Sequence, residues 1–107
     1  MIQSVKILIV EDEAIIAEDL RMSLIELGYD VVGIRDNYDD AMIAIETLRP
    51  DFLLLDIIIN GDKDGIALAA DIGVRFNLPF LFLTSHSDKA TVERAKTVRP
   101  SGYLLKP

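Results

Sequence analysis

The sequence contains no cysteine and no tryptophan, and it has a single histidine. Without cysteine there is neither a disulfide frame nor a thiolate metal site, and one histidine cannot build a multi-histidine centre. Basic residues are outnumbered: 11 Lys and Arg stand against 18 Asp and Glu, for a net charge of −7. That balance disfavours direct binding of nucleic acid or of an anionic lipid surface by this segment. No apolar run reaches the roughly 18 residues of a membrane span. Asp56 splits the longest one. The first residues lack the basic start, apolar stretch and small-residue cleavage site of a signal peptide. There is no linker, low-complexity segment or internal repeat. The 107 residues therefore read as one domain, 1–107, of cytoplasmic type, with room for a single core.

Apolar residues, by contrast, are abundant: half the chain is hydrophobic and the mean hydropathy is +0.30. Strands buried on both faces account for that richness. Val5 to Val10 reads as a first strand, ending at the acids Glu11, Asp12 and Glu13. Ile16, Leu20, Leu24 and Leu27 then recur at helical spacing, and Gly28 is placed for a left-handed helix cap. Tyr29 to Ile34 reads as a second strand, and Asn37 with Asp40 opens a helix in the manner of a capping box. Its inner face is Ala41, Ala44, Ile45 and Leu48. Phe52 to Leu55 is a third strand closing on Asp56, after which Asn60-Gly61 turns and Asp64-Gly65 starts a third helix. Ile66, Ala69, Ala70 and Ile72 are its expected core contacts. Phe80 to Leu83 is a fourth strand ending in Thr84-Ser85. Ser87 or Asp88 can cap a fourth helix held by Val92, Ala95 and Val98, and Tyr103 to Leu105 is a last strand before Lys106-Pro107. Strand and helix alternating four times before a final strand imply an α/β fold, a parallel sheet with right-handed crossovers.

In such a sheet the C-terminal ends of all strands share one edge, where ligands bind. That edge collects Glu11 and Asp12, Asp56, Thr84 and Lys106. Clustered carboxylates repel one another unless a cation intervenes, and an all-oxygen set without histidine suits Mg²⁺ better than zinc or copper. A lysine and a hydroxyl facing that metal resemble a phosphoryl-transfer site, in which Asp56 is the candidate nucleophile. Taken singly, each residue has a plainer reading. An aspartate at a strand end caps a turn, and acids after a strand start a helix. Lys106 is a solvated strand-end lysine, Thr84 a turn hydroxyl, Tyr103 half-buried packing, and His86 a loop histidine. Asp36, Asp39, Asp40, Asp62 and Asp71 read as a solvated surface. Convergence on one edge carries the functional reading.

The segments Ile7 to Asp12, Asp51 to Asp56, Phe82 to Ser85 and Gly102 to Pro107 resemble, in order and spacing, the signature segments of receiver domains of two-component response regulators. The resemblance covers nearly the whole chain. It implies a doubly wound, flavodoxin-like sheet of order 2-1-3-4-5, and a phosphoryl group accepted on Asp56 from a sensor histidine kinase or phosphotransfer protein. It further implies that Asp12 and Asp56 ligate Mg²⁺ directly, that the Ile58 backbone carbonyl adds a ligand, and that Glu11 acts through water. Lys106 would pair with the phosphoryl oxygens and Thr84 would bond one of them. Tyr103 would rotate as the switch read by an output domain or effector protein.

The chain departs from the family pattern in three places. Asn60 stands where a proline is usual, the loop to Asp64-Gly65 is one residue longer than the common form, and Ile58 is apolar where a polar side chain is frequent. The family's fifth helix is absent before Pro107. Leu53 or Leu54, Leu81 or Phe82, and Leu104 or Leu105 are therefore expected to lose cover. Pairing of two copies through that sheet face, exchange of elements with a neighbour, or a longer parent protein is the expected consequence. The rival readings are a docking module of the same fold that is never phosphorylated and an aspartyl-phosphate hydrolase of the haloacid-dehalogenase type. The hydrolase usually shows Asp-x-Asp, whereas here Asp56 is followed by Ile57-Ile58. A flavodoxin is disfavoured, because acids rather than a hydroxyl- and glycine-rich phosphate loop follow the first strand.

Overall fold

The computed structural model describes residues 4–84 and 89–106. The expected caps Ser87 and Asp88, together with Ser85, His86 and Pro107, lie outside the described residues. Within them run β1 (Lys6–Val10), α1 (Ala14–Glu26), β2 (Asp30–Arg35), α2 (Tyr38–Leu48), β3 (Phe52–Asp56), α3 (Gly65–Arg75), β4 (Phe80–Thr84), α4 (Lys89–Lys96) and β5 (Gly102–Leu105). The five strands form one parallel sheet of order β2-β1-β3-β4-β5. β1 and β3 are neighbours, with Val10 paired to Leu55, so the residues that follow them emerge side by side.

The central strands alternate between two apolar clusters, as a period of two requires. Leu8, Val10, Leu53, Leu55 and Phe82 face the larger cluster, with Ala41, Ile45, Leu68, Ile72 and Ala95 from α2, α3 and α4. Ile7, Ile9, Leu54 and Leu83 face the smaller one, where Ala17, Leu20 and Leu24 of α1 pack. Side chains close two helix starts: the Asn37 side-chain oxygen accepts the Asp40 N–H, and the Asp64 carboxylate accepts the Ala67 N–H, both at 2.9 Å. Gly28 takes the left-handed φ of 96° expected after α1.

Three packing expectations are corrected. Leu27 is exposed because α1 ends at Glu26, one residue before the next inward position. On α3 the inward stripe runs through Gly65, Leu68, Ala69 and Ile72, which turns Ala70 to solvent and buries Leu68. Leu53, Leu54 and Phe82 keep their cover. Leu53 and Phe82 face α2 and α3, and Leu54 packs in the smaller cluster with Ala17, Leu20 and Leu24 of α1, while Leu81 is half-buried beside it. The exposure falls instead at the sheet edge, where Leu104 is 42% and Leu105 69% exposed.

Candidate functional site

Glu11 follows β1 directly and Asp56 is the last residue of β3, so neighbouring strands deliver both carboxylates to one point. β5 ends beside them one residue before Lys106, whose backbone N–H donates to the Thr84 carbonyl at 2.9 Å. The Lys106 ammonium donates to Glu11 Oε1 and to Asp56 Oδ2, each at 2.8 Å, and its side chain is only 7% exposed. Glu13 Oε1 lies farther out, 3.6 Å from the same nitrogen. Asp56 Oδ1 accepts the Ile58 backbone N–H at 3.1 Å, which fixes the carboxylate plane and the first turn of the loop beyond it. Oxygen atoms from Glu11, Asp12 and Asp56 lie within 4.8 Å of one another.

Electrostatically the cluster is short of positive charge. Burial, and then the hydrogen bond shared with Asp56, push the Glu11 carboxyl up to about 8, even with Lys106 pulling the other way. Burial and then the Asp56 charge also raise the Asp12 carboxyl from its ordinary value. Burial works against the Lys106 ammonium, yet its bonds to Asp56 and Glu11 prevail and hold it above the ordinary lysine value. Glu11 Oε2 is buried and has no hydrogen-bond partner. A buried, unpaired carboxylate oxygen is costly. Within an all-oxygen donor set, it fits a site built for a hard divalent cation such as Mg²⁺.

The N-terminus of α3 presses directly on this centre. Gly65 N–H donates to the Ile57 carbonyl at 2.7 Å, and a Cβ on Gly65 would lie 1.9 Å from the Asp56 carbonyl oxygen. Only glycine fits there.

The structure thus brings together Glu11, Asp12, Asp56, Lys106 and the Ile58 backbone, while the Ile58 side chain points to solvent. Thr84 is half-buried at the end of β4, next along the same edge. Tyr103 is not in the carboxylate cluster. It is 40% exposed and stacks on Phe82 of the adjacent strand, with ring centroids 6.2 Å apart. Asp36 and Asp40 are exposed, as the solvated-surface reading expects, and lie outside the carboxylate cluster. They line a hollow of about 290 Å³ together with Glu11, Asp12 and Arg35. They come near the strand-end acids because β2 lies beside β1, a neighbour relation that the spacing of the acids alone does not show.

Residues 7–107 match the model of the response regulator receiver domain. The chain belongs to that family. It is 36% identical over 102 residues to the transcriptional regulatory protein PdtaR of Mycobacterium tuberculosis, covering 95% of this chain and 49% of that protein. It is 34% identical over 104 residues to the phyllosphere-induced regulator PhyR of Methylorubrum extorquens, covering 95% of this chain and 38% of the other. The chain therefore spans about half or less of these curated relatives. Among solved structures, the signal receiver domain of a modulated diguanylate cyclase from Desulfovibrio desulfuricans superposes with a TM-score of 0.91 at 46% identity. That match covers 98% of this chain and 83% of the other. The chain is a receiver domain of the response-regulator type, a signalling domain.

Proposed function

We propose that Asp56 is the phosphoacceptor and that Glu11, Asp12 and Asp56 hold Mg²⁺, with the Ile58 carbonyl as a further ligand and Glu11 acting through water. The observation carrying this reading is Lys106, seated 2.8 Å from Asp56 Oδ2 among three carboxylates. A carboxylate oxygen of Asp56 attacks the phosphorus of a phosphohistidine on a sensor kinase or phosphotransfer protein. The phosphorus–nitrogen bond breaks, its electron pair stays on the imidazole, and an acyl phosphate forms on Asp56. Lys106, already desolvated and fixed, offsets charge on the phosphoryl oxygens without reorganising. Bound Mg²⁺ supplies the remaining charge compensation. Thr84, next along the edge, donates a hydrogen bond from its hydroxyl to a phosphoryl oxygen, and the Tyr103 ring moves from its place on Phe82 in response.

The product is a changed surface. An output domain or effector protein reads it, and this segment does not bind nucleic acid itself; the net charge of −7 supports that assignment. We place the domain in the cytoplasm, the compartment typical of its family. Among the described residues no helix is long and apolar enough to cross a membrane.

The test is covalent. Incubated with Mg²⁺ and acetyl phosphate, the protein should gain the mass of one phosphoryl group, and Asp56→Asn should gain none. A folded wild-type protein left unmodified by several donors would instead establish the docking-module reading.

A further inference from the structure

We propose that Tyr38 is a positioning residue for the metal, holding through Lys63 the loop that carries Ile58 against the acid cluster. The proposal rests on the metal reading above. Residues 57–64 leave β3 and enter α3, and their ends are pinned by the bonds from Ile58 N–H to Asp56 and from Gly65 N–H to the Ile57 carbonyl. Between these ends the chain swings out toward α2. Asn60 forms a parallel bridge with Asn37, and its N–H donates to the Asp36 carbonyl at 3.2 Å. Gly61 then turns with a φ of 101°, a left-handed conformation that releases the exposed stretch 61–63 from the buried side chains of Ile57 and Ile59.

Lys63 fastens that stretch. Its ammonium stands 4.3 Å from the centroid of the Tyr38 ring, a cation over an aromatic face. The ring is a fixed support, because the Tyr38 hydroxyl is hydrogen-bonded to the Asp71 carboxylate on α3 and its body packs on the larger core cluster. One aromatic side chain therefore links the start of α2, the body of α3 and the outer half of the loop. A hollow of about 180 Å³ lies between loop and helix, lined by Asn37, Tyr38, Asn60 and Lys63 among others. Contacts at Asn60 and Lys63, rather than continuous packing, set how far the loop stands from α2. The outer half bears on Ile58 only through Asn60 and the backbone between them, against the hold that buried Ile57 and Ile59 keep on the core. Metal sites are sensitive to such outer supports.

The experiment is a calorimetric Mg²⁺ titration of the 107-residue protein, with the melting temperature of each metal-free variant measured alongside. Tyr38→Ala and Lys63→Ala should each bind Mg²⁺ about two- to fivefold more weakly, the range that follows if the whole of an exposed cation–aromatic contact is felt at the ligand. Tyr38→Phe keeps the ring face under Lys63 and should recover most of the affinity. Leu48→Ala, elsewhere on α2, should lower the melting temperature without moving the affinity, which separates positioning from general weakening. Tyr38→Ala and Lys63→Ala titrations that superimpose on wild type, while Asp12→Asn abolishes binding, would overturn the inference and leave the metal reading standing. A wild-type protein that takes up no Mg²⁺ would overturn both. If Tyr38→Ala does not fold, Lys63→Ala at its exposed position decides alone.

Discussion

Glu11 sits in the least comfortable electrostatic position among the described residues, 1% exposed and with one oxygen unpartnered. Its folded-state value of about 8 lies above the ordinary 4.5, so the native protein holds this proton more tightly than the unfolded chain does. The stabilisation linked to that proton is fully present below about 4.5 and is lost as the pH rises through about 8. Asp12 shifts in the same direction. Without divalent cation, the melting temperature should therefore fall between about pH 5 and about pH 9, and Glu11→Gln should flatten that slope. Added Mg²⁺ should raise the melting temperature more at the alkaline end, where the carboxylates are ionised. A thermal melt series at fixed ionic strength checks both. The acids at the end of the first strand were legible as a group, since they follow an apolar run. Which one is buried was not. Glu11, Asp12 and Glu13 are equivalent as letters, and only the direction of each side chain at the strand end separates a buried carboxylate from an exposed one.

The helices and strands follow the apolar periods closely, and the two capping signals at Asn37 and Asp64 operate as their chemistry dictates. Boundaries are less legible, because one residue of overrun, as at Leu27, changes no local preference. The role of Gly65 was also hidden. Beside Asp64 it reads as a helix-start residue, yet it is required because the Asp56 carbonyl occupies the place of its Cβ. Gly65→Ala should lower stability by about 1–3 kcal/mol, the usual cost of overpacking. It should also reduce the yield of phosphorylated protein by displacing Asp56. Urea midpoints and intact mass measure the two effects separately. Asn60 has a similar explanation. The N–H it donates to Asp36 is one that a proline could not supply. That bond is invisible until the loop is seen beside β2.

The order of the strands was not available from alternation, which specifies a parallel sheet and the hand of its crossovers but not which strands are neighbours. It came from the resemblance, and the order β2-β1-β3-β4-β5 agrees with it. Taken whole, the molecule has one well-covered face and one apolar edge. Leu104 and Leu105 are exposed on β5, whose outer side has no neighbouring strand among the described residues. Open apolar strand edges favour pairing between chains. Sedimentation of the 107-residue protein should show a mass that climbs above the monomer with concentration, and Leu104→Lys with Leu105→Lys should suppress it. A compact monomer at every concentration, binding no hydrophobic dye, would contradict this expectation. Lys106 adds a matter of timing. Its partner Glu11 is 95 residues away along the chain, and Asp56 is 50. When the polypeptide emerges from its N-terminus, both acids are made long before the ammonium that joins them. The three-way contact therefore cannot be assembled until synthesis has passed β5, however early the two acids are in place.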